Sequence, residues 1–533
     1  IDFWQAVQYL FYTQWHDLKA YANAFYGLIP GGVSVLDDTD SDIQVPNDIN
    51  SFLWGQYVVP TEGGVWQKSS WQNIRNINYF MTHYQSVQAA EADVNIYVAE
   101  MRFFRALEYF NKIQLLGDVP WLEVDLNVDS EELYGPKMKR NQVFQKIIED
   151  LDFAIQWLPE AGSEEANRLN KDIARHVKAR FCLNEGTHYK YHDELEYASE
   201  AEKWLQMAAT ESDKLITSGR YEIYNTGHPQ EDYFNMYRID DKSDLKEAVL
   251  YVDYKTNIRE HNMAAAGREA GCGFSKSFVE SFLCSDGLPI SLSNKYLGDE
   301  TMRKETANRD PRLKQLILTN DFPTNVTDDL KDSTFVVNED EFITQHCFTG
   351  YRPIKGFNPI YSQALYMKSS FDGIAYRYAE TLLINAEAKA ELNTITNADL
   401  DRTVNQLRDR VGMPHLTVNV GFTDPKWPDW GYSLSPVLQE IRRERCIELA
   451  GEGFRFNDLK RWKAGKLLNN VLTYVGKRKP DGNLAIVYPN YTNPDLSYQA
   501  GKSRTWEDKM YLYPIPTGEL QRNPQLLPQN PGW

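Results

Sequence analysis

The sequence predicts a mainly α-helical protein in which tetratricopeptide-like helix hairpins form a scaffold and an irregular, loop-rich lobe carries minor β structure. Two observations support this fold class. Apolar residues recur every three to four positions in several long blocks, and the blocks are separated by long segments rich in Asp, Asn, Pro, Gly and aromatic residues. No clean 34-residue repeat can be superposed, so we expect degenerate helix pairs.

The first predicted helices lie in the N-terminal half of the chain. A helical stripe runs from Phe3 to Phe25 with Asp2 as its N-cap, and another runs from Glu91 to Leu116, where Gly117 ends it. Three further periodic blocks each end at Pro, Gly or a polar cluster, which indicates antiparallel hairpins: 141–158, 171–186 and 197–218.

The later helices have equally clear signals. The block 376–392 carries alanines that allow a neighbouring helix to approach closely, at positions 379, 386, 388 and 390. Pro436, at the first helical position after Ser435, begins a helix that runs to Ala450, and another is predicted from Phe456 to Lys466. Short strands are predicted at 248–254 and 334–337, but no regular alternation indicates a sandwich or barrel.

We expect these elements to form one unit. The helical scaffold comprises approximately residues 1–26, 72–218, 374–412 and 436–468. The loop-rich lobe comprises approximately residues 27–71, 219–373, 413–435 and 469–533. Because binding surfaces usually lie on irregular segments held by a rigid scaffold, the lobe is the predicted ligand-binding part.

Composition excludes several classes of function. The 533 residues include 57 basic and 75 acidic ones, giving a net charge of −18, which argues against nucleic-acid binding. Mean hydropathy is −0.55, and no apolar stretch approaches the length of a membrane-spanning helix. The five cysteines include no CxxC pair, so no zinc or thioredoxin-like site is indicated, and at most Cys272 and Cys284 could form a disulfide.

The metal and cofactor motifs are incomplete. Asp38–Asp42 has the first acidic spacings of a calcium loop but lacks the required Gly and Glu, so we interpret it as a solvated acidic loop. His188 and His192, with Glu185 one turn earlier, have metal-ligand spacing but not the HExxH order. Gly271-Cys272-Gly273 lacks the third glycine of a dinucleotide loop. We therefore predict no metal and no cofactor.

No nucleophile elbow or phosphate-binding loop occurs, so acyl and phosphoryl transfer have no sequence support. Aromatic residues are the stronger signal. Trp54, Tyr57, Trp66 and Trp71 lie close together in the chain, and Trp427 and Trp430 lie in a Pro-rich loop. A sugar ring has an apolar face and a hydroxyl rim, which an indole flanked by polar side chains satisfies. Core packing remains the alternative for each tryptophan.

Several motifs together resemble the SusD/RagB family. They are AEMRFFRALEYFNKIQLLGDVPWLEVDL (99–126), NRDPRL (308–313), RYAETLLINAEAKAEL (377–392), VNQLRDRVGMP (404–414), IRRERCIELAGEGFRFNDLKRW (441–462) and YLYPIPTGELQRNPQLLPQNPGW (511–533). The resemblance implies a non-catalytic glycan-binding lipoprotein on the extracellular face of a Gram-negative outer membrane, attached by an N-terminal lipid anchor absent from this chain. It also implies delivery of an oligo- or polysaccharide to a SusC-like TonB-dependent transporter.

The resemblance also indicates ligand-binding residues. Trp66 precedes the helix segment IRNIN (74–78), with Asn78 at the position of the family's asparagine, as the family's contact aromatic does. Trp54, Tyr57 and Asn73 lie near it in the sequence. A second contact region corresponds to the loop 254–271, which contains Arg259, His261, Asn262 and Arg268, and a third contains Tyr296. The segment 255–270 has no Phe, Tyr or Trp, a departure from the family's aromatic platform, so hydrogen bonds or Arg recognition of a carboxylated sugar would partly replace stacking.

No catalytic residue is predicted, and two alternatives stay open. The chain could be a peptide-capturing relative, because the loop 255–270 has mixed charges. It could also be a helical glycoside hydrolase or lyase, since such chemistry needs only two carboxylates across a cleft.

Overall fold

The computed structural model describes residues 37–47, 50–164, 167–269, 271–486 and 504–533. The predicted helix following Asp2 and the scaffold segment 1–26 lie outside these residues. Within them the prediction of a mainly helical protein with minor β structure is confirmed.

The α-helices, numbered here in chain order, are α1 (Gln72–His83), α2 (Glu91–Leu116), α3 (Arg140–Trp157), α4 (Lys171–Tyr191), α5 (Ala201–Ser218), α6 (Asp232–Asn235), α7 (Met263–Arg268), α8 (Lys276–Ser281), α9 (Met302–Thr306), α10 (Arg312–Leu316), α11 (Tyr378–Glu391), α12 (Asn397–Asp401), α13 (Val404–Arg410), α14 (Pro436–Glu448), α15 (Arg455–Arg461) and α16 (Thr517–Arg522). The long helices confirm the periodic blocks. Their ends differ from the predicted ends by a few residues, except for α2, which has the predicted bounds.

Strands in the described residues form four two-stranded antiparallel sheets. The pairs are β1 (Gln44–Pro46) with β3 (Cys272–Phe274), β2 (Ala248–Val252) with β6 (Gly373–Arg377), β4 (Pro323–Val326) with β5 (Ser333–Phe335), and β7 (Val475–Arg478) with β8 (Leu484–Ile486). The predicted β segments at 248–254 and 334–337 correspond to β2 and, in part, to β5.

The described residues divide into two compact units. The first comprises 57–181 and 508–533, and the second comprises 37–56 and 182–507, without the gaps given above. Both units contain helices and irregular segments. The assignment of particular segments to a scaffold and to a binding lobe stays a prediction.

In the first unit, α2 packs against α3 and α1. Apolar residues recur along the buried face of α2, where Phe103, Phe110 and Ile113 are almost fully buried. Arg105 makes a bidentate ion pair with Asp150 of α3, with both nitrogen–oxygen distances at 2.7 Å. The packing of α2 against α3 therefore combines apolar contacts with a buried ion pair.

In the second unit, small residues determine how closely the helices approach. A Cβ atom at Gly186 of α4 would lie 2.9 Å from the backbone nitrogen of Leu205, so only glycine allows this contact with α5. The alanines of α11 are buried, and Asn385 of the same helix donates to the Ala209 carbonyl of α5 at 3.1 Å. The prediction that alanines in this block permit close packing is confirmed.

Helix α14 is held by a buried ion cluster in the second unit. The fully buried carboxylate of Glu448 accepts hydrogen bonds from Arg312 at 3.0 Å, Arg377 at 2.6 Å and Arg410 at 2.6 Å. Burial alone would raise the pKa of Glu448, but the three guanidinium charges outweigh it and hold this pKa well below its usual range. The charged signature 441–462 therefore stabilises the fold.

The interpretation of Asp38–Asp42 as a solvated acidic loop is wrong. Asp38 and Asp42 are buried, and Asp42 makes a bidentate ion pair with Arg455 at 2.7 and 2.8 Å. Asp38 accepts the backbone N–H groups of Gly451 at 2.6 Å and Arg455 at 3.0 Å. Asp38 and Asp42 therefore stabilise the turn that leads into α15. The buried backbone N–H groups of this turn need hydrogen-bond acceptors, since water does not reach them.

The other polar candidates have structural partners. The rings of His188 and His192 lie 4.1 Å apart, and His192 contacts the Lys460 carbonyl oxygen and Glu194 through its two ring nitrogens. The described part of the chain contains no cluster of three or more His, Cys, Asp or Glu residues that could hold a metal ion. Cys272 and Cys284 are not joined by a disulfide.

Candidate ligand-binding groove

The first unit contains an open groove of about 540 Å³ between the start of α1 and the segment 120–133. This volume lies in the range of small-molecule and oligosaccharide sites, about 300–1,000 Å³. The lining residues are Trp66, Lys68, Trp71, Gln72, Ile74, Arg75, Asn78, Pro120, Leu122, Val124, Leu126, Asn127, Val128, Glu132, Leu133 and Glu519.

Trp66 and Trp71 form the aromatic part of the groove. Their ring centroids lie 5.1 Å apart at 62°, an edge-to-face arrangement that fixes the two indoles relative to each other. Both rings are partly exposed. Gly63 and Gly64 have φ angles of 85° and 59°, which turn the chain into the two short helical turns that carry the tryptophans.

The turn that carries these rings is internally braced. The Ser70 hydroxyl donates to the carbonyl oxygens of Val65 at 3.0 Å and Gln67 at 2.7 Å. The indole Nε1 of Trp71 is buried and has no hydrogen-bond partner in the part of the chain that the structure describes. The indole pair therefore has a fixed position while part of its ring surface stays available.

A buried lysine lies behind the indole pair. Lys112 is only 4% exposed, and its ammonium nitrogen lies 4.9 Å from the centroid of the Trp71 ring, which is a cation–π contact. Burial lowers the pKa of Lys112 to about 8, although Glu108 acts in the opposite direction. Asn73 donates to Glu108 at 2.8 Å, so its side chain supports this cluster and does not line the groove.

The opposite wall is a loop fixed to α1 and α2. Asn78 donates to the carbonyl oxygen of Leu122 at 2.8 Å, and the backbone N–H of Leu122 donates to the hydroxyl of Tyr109 at 2.7 Å. These bonds hold an apolar surface open to solvent, and Val128 is 82% exposed. Exposed apolar side chains on a fixed loop are typical of a binding surface.

Polar groups surround this apolar wall. Arg75 lies 3.8 Å from the carboxylate of Asp125, and most of its side chain is exposed. Lys68, Gln72, Asn127 and Glu519 also line the groove. The groove therefore offers indole faces, aliphatic side chains and hydrogen-bonding groups to one ligand.

Two of the four predicted aromatic neighbours line the groove. Trp54 belongs to the second unit, is only 8% exposed and packs edge-on against Tyr474 at 5.6 Å. Tyr57 belongs to the first unit and makes edge contacts with Tyr513 at 5.8 Å and Trp533 at 5.7 Å. Neither residue lines the groove, so of the four predicted aromatic neighbours only Trp66 and Trp71 meet there.

The second predicted contact region lies in the other unit. Arg259 is exposed, and its guanidinium carbon lies 4.8 Å from the centroid of the Tyr254 ring. His261 Nε2 lies 2.8 Å from the carbonyl oxygen of Phe371, and burial lowers the pKa of this imidazole. Asn262 accepts the backbone N–H of Met367 at 3.1 Å.

Tyr296 is partly buried in the same unit, with the Arg309 guanidinium carbon 5.3 Å from its ring. Desolvation raises the pKa of its hydroxyl, and nearby carboxylates add to this effect. Tyr296 lines neither the groove nor the cavity described next.

A separate cavity of about 570 Å³ in the second unit contains the other predicted tryptophan pair. Trp430 is buried, contacts Trp462 edge-on at 5.4 Å and donates its indole N–H to Gln439 at 2.7 Å. Trp427 is partly exposed and donates to Glu440 at 2.7 Å. Core packing therefore explains the position of Trp430, whereas part of the Trp427 ring stays exposed to solvent.

The apolar wall Val124, Leu126, Val128 and Leu133 was not predicted. Its signal in the sequence was weak, because isolated apolar residues in the acidic segment 122–134 resemble those of an ordinary loop. A run of apolar residues without helical period, between two predicted helices, was the only available indication.

Comparison with known proteins defines the class of protein. The model of the SusD family matches residues 217–533, more than half of the chain, so the protein belongs to the SusD family. SusD-like protein P2 of Formosa agariphila is 25% identical over 456 residues, covering 83% of this chain and 75% of the relative. SusD-like protein P25 of the same organism is 23% identical over 538 residues, covering 95% and 88%.

Solved structures confirm the fold. A SusD-like protein from Bacteroides fragilis superposes with a TM-score of 0.74 at 24% identity, covering 97% of this chain and 96% of the other. A SusD-like carbohydrate-binding protein from the same species gives 0.70 at 20% identity, covering 96% and 99%. A laminarin-binding SusD-like protein gives 0.57 at 19% identity, covering 97% and 99%. The tetratricopeptide-like helical architecture predicted from the sequence is thereby confirmed.

Among the described helices, none is both long enough and apolar enough to span a membrane.

Proposed function

We propose that this SusD family member is a non-catalytic protein that binds an oligo- or polysaccharide in the groove of the first unit. The observation that carries the proposal is the fixed Trp66–Trp71 pair beside an exposed apolar wall and a polar rim. An indole face packs on the C–H face of a sugar ring, and the rim groups hydrogen-bond to its hydroxyls. Related proteins described as carbohydrate-binding and laminarin-binding support the ligand class.

Preorganisation is what makes this groove suitable. The tryptophans are held by the braced turn 64–71, and the wall is held by the bonds of Asn78 and Tyr109 to Leu122. A site that is already ordered loses little conformational entropy when a flexible glycan binds. We expect Trp66 to contribute most, since indole rings in open binding sites commonly dominate the binding free energy.

We further propose that the protein acts at the cell surface of a Gram-negative bacterium, attached to the outer membrane by a lipid, and passes its ligand to a SusC-like TonB-dependent transporter. Family membership supports this location and this partner. Attachment to a surface also favours retention of a polymer, because many weak sites then act together.

The test is binding of Trp66→Ala to a panel of neutral and acidic polysaccharides, by affinity gel electrophoresis and calorimetry. Loss of an indole at the centre of a site costs about 2 kcal/mol or more, so we expect at least a tenfold loss of affinity for whichever polysaccharide binds. Trp427→Ala is the matched control, because Trp427 is also partly exposed but lines the other cavity.

Unchanged affinity of Trp66→Ala, with lost affinity of Trp427→Ala, would move the site to the second unit. Chromatography of the same mixtures after long incubation distinguishes binding from catalysis, and cleavage products would contradict the non-catalytic assignment. Peptides that compete with the bound glycan would favour a peptide-capturing protein.

A further inference from the structure

The cavity of about 570 Å³ in the second unit is separate from the groove. Its walls include α8, the loop 424–431, one face of α14 and the segment 463–473. The cavity face of α14 carries four residues spaced three or four positions apart: Gln439, Arg442, Arg443 and Cys446. The opposite face carries Glu448 of the buried ion cluster. Helix α14 therefore has one face in the core of the unit and another on the cavity.

The loop 424–431 is fixed to both helices of the cavity wall. The two indole N–H bonds described above join it to α14. Asp424 adds an ion pair with Arg443 of the same helix at 2.6 Å. Lys426 joins the loop to α8 through an ion pair with Glu280 at 2.9 Å. The cavity therefore has a fixed shape before a ligand enters, which lowers the entropy cost of binding.

Two buried guanidinium groups of the wall each have a hydrogen-bond donor without an acceptor. Arg442 is 1% exposed and Arg455 is 6% exposed. Within the described part of the chain, Nε of Arg442 and Nη1 of Arg455 have no hydrogen-bond partner, although Arg442 pairs with Glu391 and Arg455 with Asp42 through other nitrogens. Folded proteins leave few buried donors unpaired, because each one destabilises the fold. A ligand that brings acceptor oxygens to this wall would satisfy both groups.

The wall also has an excess of positive charge. Six basic and four acidic residues line the cavity, whereas the whole chain carries −18. Three of the four carboxylates are each bound to a cation of the same wall: Asp42 to Arg455, Glu280 to Lys426 and Asp424 to Arg443. Lys466 is exposed and, among the residues that the structure describes, has no carboxylate partner. The wall therefore favours an anionic ligand.

The indole of Trp427 supplies a flat apolar surface to the same cavity. It is partly exposed, although its N–H is bound to Glu440. Ile290, Leu467 and Leu472 are also partly exposed and line the cavity. An indole face together with aliphatic side chains suits a flat apolar group.

We propose that this cavity binds a small organic carboxylate that carries a flat aromatic ring. The ring packs on Trp427, and the carboxylate accepts hydrogen bonds from Arg442 and Arg455. Such bonds are stronger than those between neutral groups, and one carboxylate satisfies both donors. The volume lies in the range of small-molecule sites, about 300–1,000 Å³, and suits a compact solute of one or two rings. The proposal does not depend on polysaccharide binding in the groove.

Calorimetry with the full chain tests the ligand class. The probes are naphthoate, indole acetate and hydroxycinnamate, each paired with its primary amide, which keeps the ring and removes the charge. Cyclohexanecarboxylate keeps the charge without the flat ring. We expect at least one aromatic carboxylate to bind about tenfold or more tightly than its amide and than cyclohexanecarboxylate, because the first comparison loses the charged hydrogen bonds and the second loses the ring contact.

Three variants locate this binding. Cys446→Leu places a larger side chain on the cavity face of α14, so it should weaken carboxylate binding about tenfold or more, whereas Cys446→Ala leaves the space open and should bind like the unmodified protein. Trp427→Ala should weaken binding about three- to tenfold. Trp66→Ala is the control, because Trp66 lines the groove of the first unit.

Cys446 also reports directly on occupancy of the cavity. It is partly exposed, and the other four cysteines are buried. Burial raises the pKa of its thiol to about 12, so its reaction with iodoacetamide is followed by mass spectrometry at about pH 8.5, where the thiolate fraction is larger than at neutral pH. We expect the carboxylate at ten times its Kd to slow this reaction about tenfold, and the amide at the same concentration to leave it unchanged.

The outcomes decide the proposal without reference to polysaccharides. If no aromatic carboxylate binds, or if each binds no more tightly than its amide, the cavity is not an anion site. Unchanged binding in both Cys446→Leu and Trp427→Ala, with the thiol unprotected, would place the ligand elsewhere and also overturn the proposal. Thiol protection needs no substitution, so it gives a result even when a variant does not fold. Either failure would leave the groove proposal intact.

Discussion

Glu448→Gln tests the role of the buried ion cluster, since it removes the negative charge of Glu448 while keeping the shape of its side chain. The carboxylate accepts from three guanidinium groups at 2.6 to 3.0 Å and is fully buried. An amide offers one acceptor oxygen, and its N–H groups would face other donors. Removing one partner of a buried ion pair costs about 3–5 kcal/mol, because the remaining charge is left uncompensated.

The neighbours of Glu448 indicate where this cost arises. Arg312 keeps Asp310 and Glu444, and Arg377 keeps Glu247 and Glu452. Among the residues that the structure describes, Glu247, at 3.6 Å, is the one remaining carboxylate partner of Arg410, so Arg410 is the guanidinium that loses most. We therefore expect the free energy of unfolding to fall by about 3–5 kcal/mol in Glu448→Gln.

Urea unfolding followed by circular dichroism and tryptophan fluorescence measures this change. Glu149→Gln is the control, because Glu149 is about half exposed and its loss should change the free energy of unfolding by less than about 0.5 kcal/mol. The pKa of Glu448 is held below that of an unfolded glutamate, so its contribution is complete above pH 5 and is lost as pH falls through the folded pKa. A loss below about 1 kcal/mol at pH 7 would refute the reasoning.

Two further predictions concern buried ionisable groups. Burial raises the pKa of Asp38 from 3.8 to about 7, although the N–H groups of Arg455 and Gly451 oppose this, so the folded state binds the proton more tightly. We expect the free energy of unfolding to fall as pH rises from about 4 to 7, and we expect this fall to be absent in Asp38→Asn. If the melting temperatures of the unmodified protein and of Asp38→Asn changed in parallel with pH, this prediction would be contradicted. Lys112, with its pKa lowered to about 8, should add stability as pH rises from 8 to 10.5. Lys112→Met should abolish that rise and stabilise the protein at pH 7 by up to about 3 kcal/mol, the free energy by which burial disfavours the charged form of Lys112. A lower urea midpoint than that of the unmodified protein would contradict this prediction.

The helices and the family signature were predictable because their signals are local. Helix α2 has the predicted bounds, since the apolar period and the stop at Gly117 both lie within the segment itself. The sequence also singled out Trp66 from its position ahead of α1, and this residue lines the groove. The sequence could not distinguish it from Trp54, because an indole in a short aromatic cluster has the same local pattern whether it is buried or exposed.

The sequence alone determined the fold class, the positions of the long helices and the membership of the chain in its family. Only the tertiary structure decided which polar groups are buried and which apolar groups are exposed. Asp42 meets Arg455 across 413 positions of the chain, and the groove wall depends on a bond from Asn78 to Leu122. Helical periodicity is a property of neighbouring residues, whereas burial and surface composition depend on contacts between distant segments that no local pattern specifies.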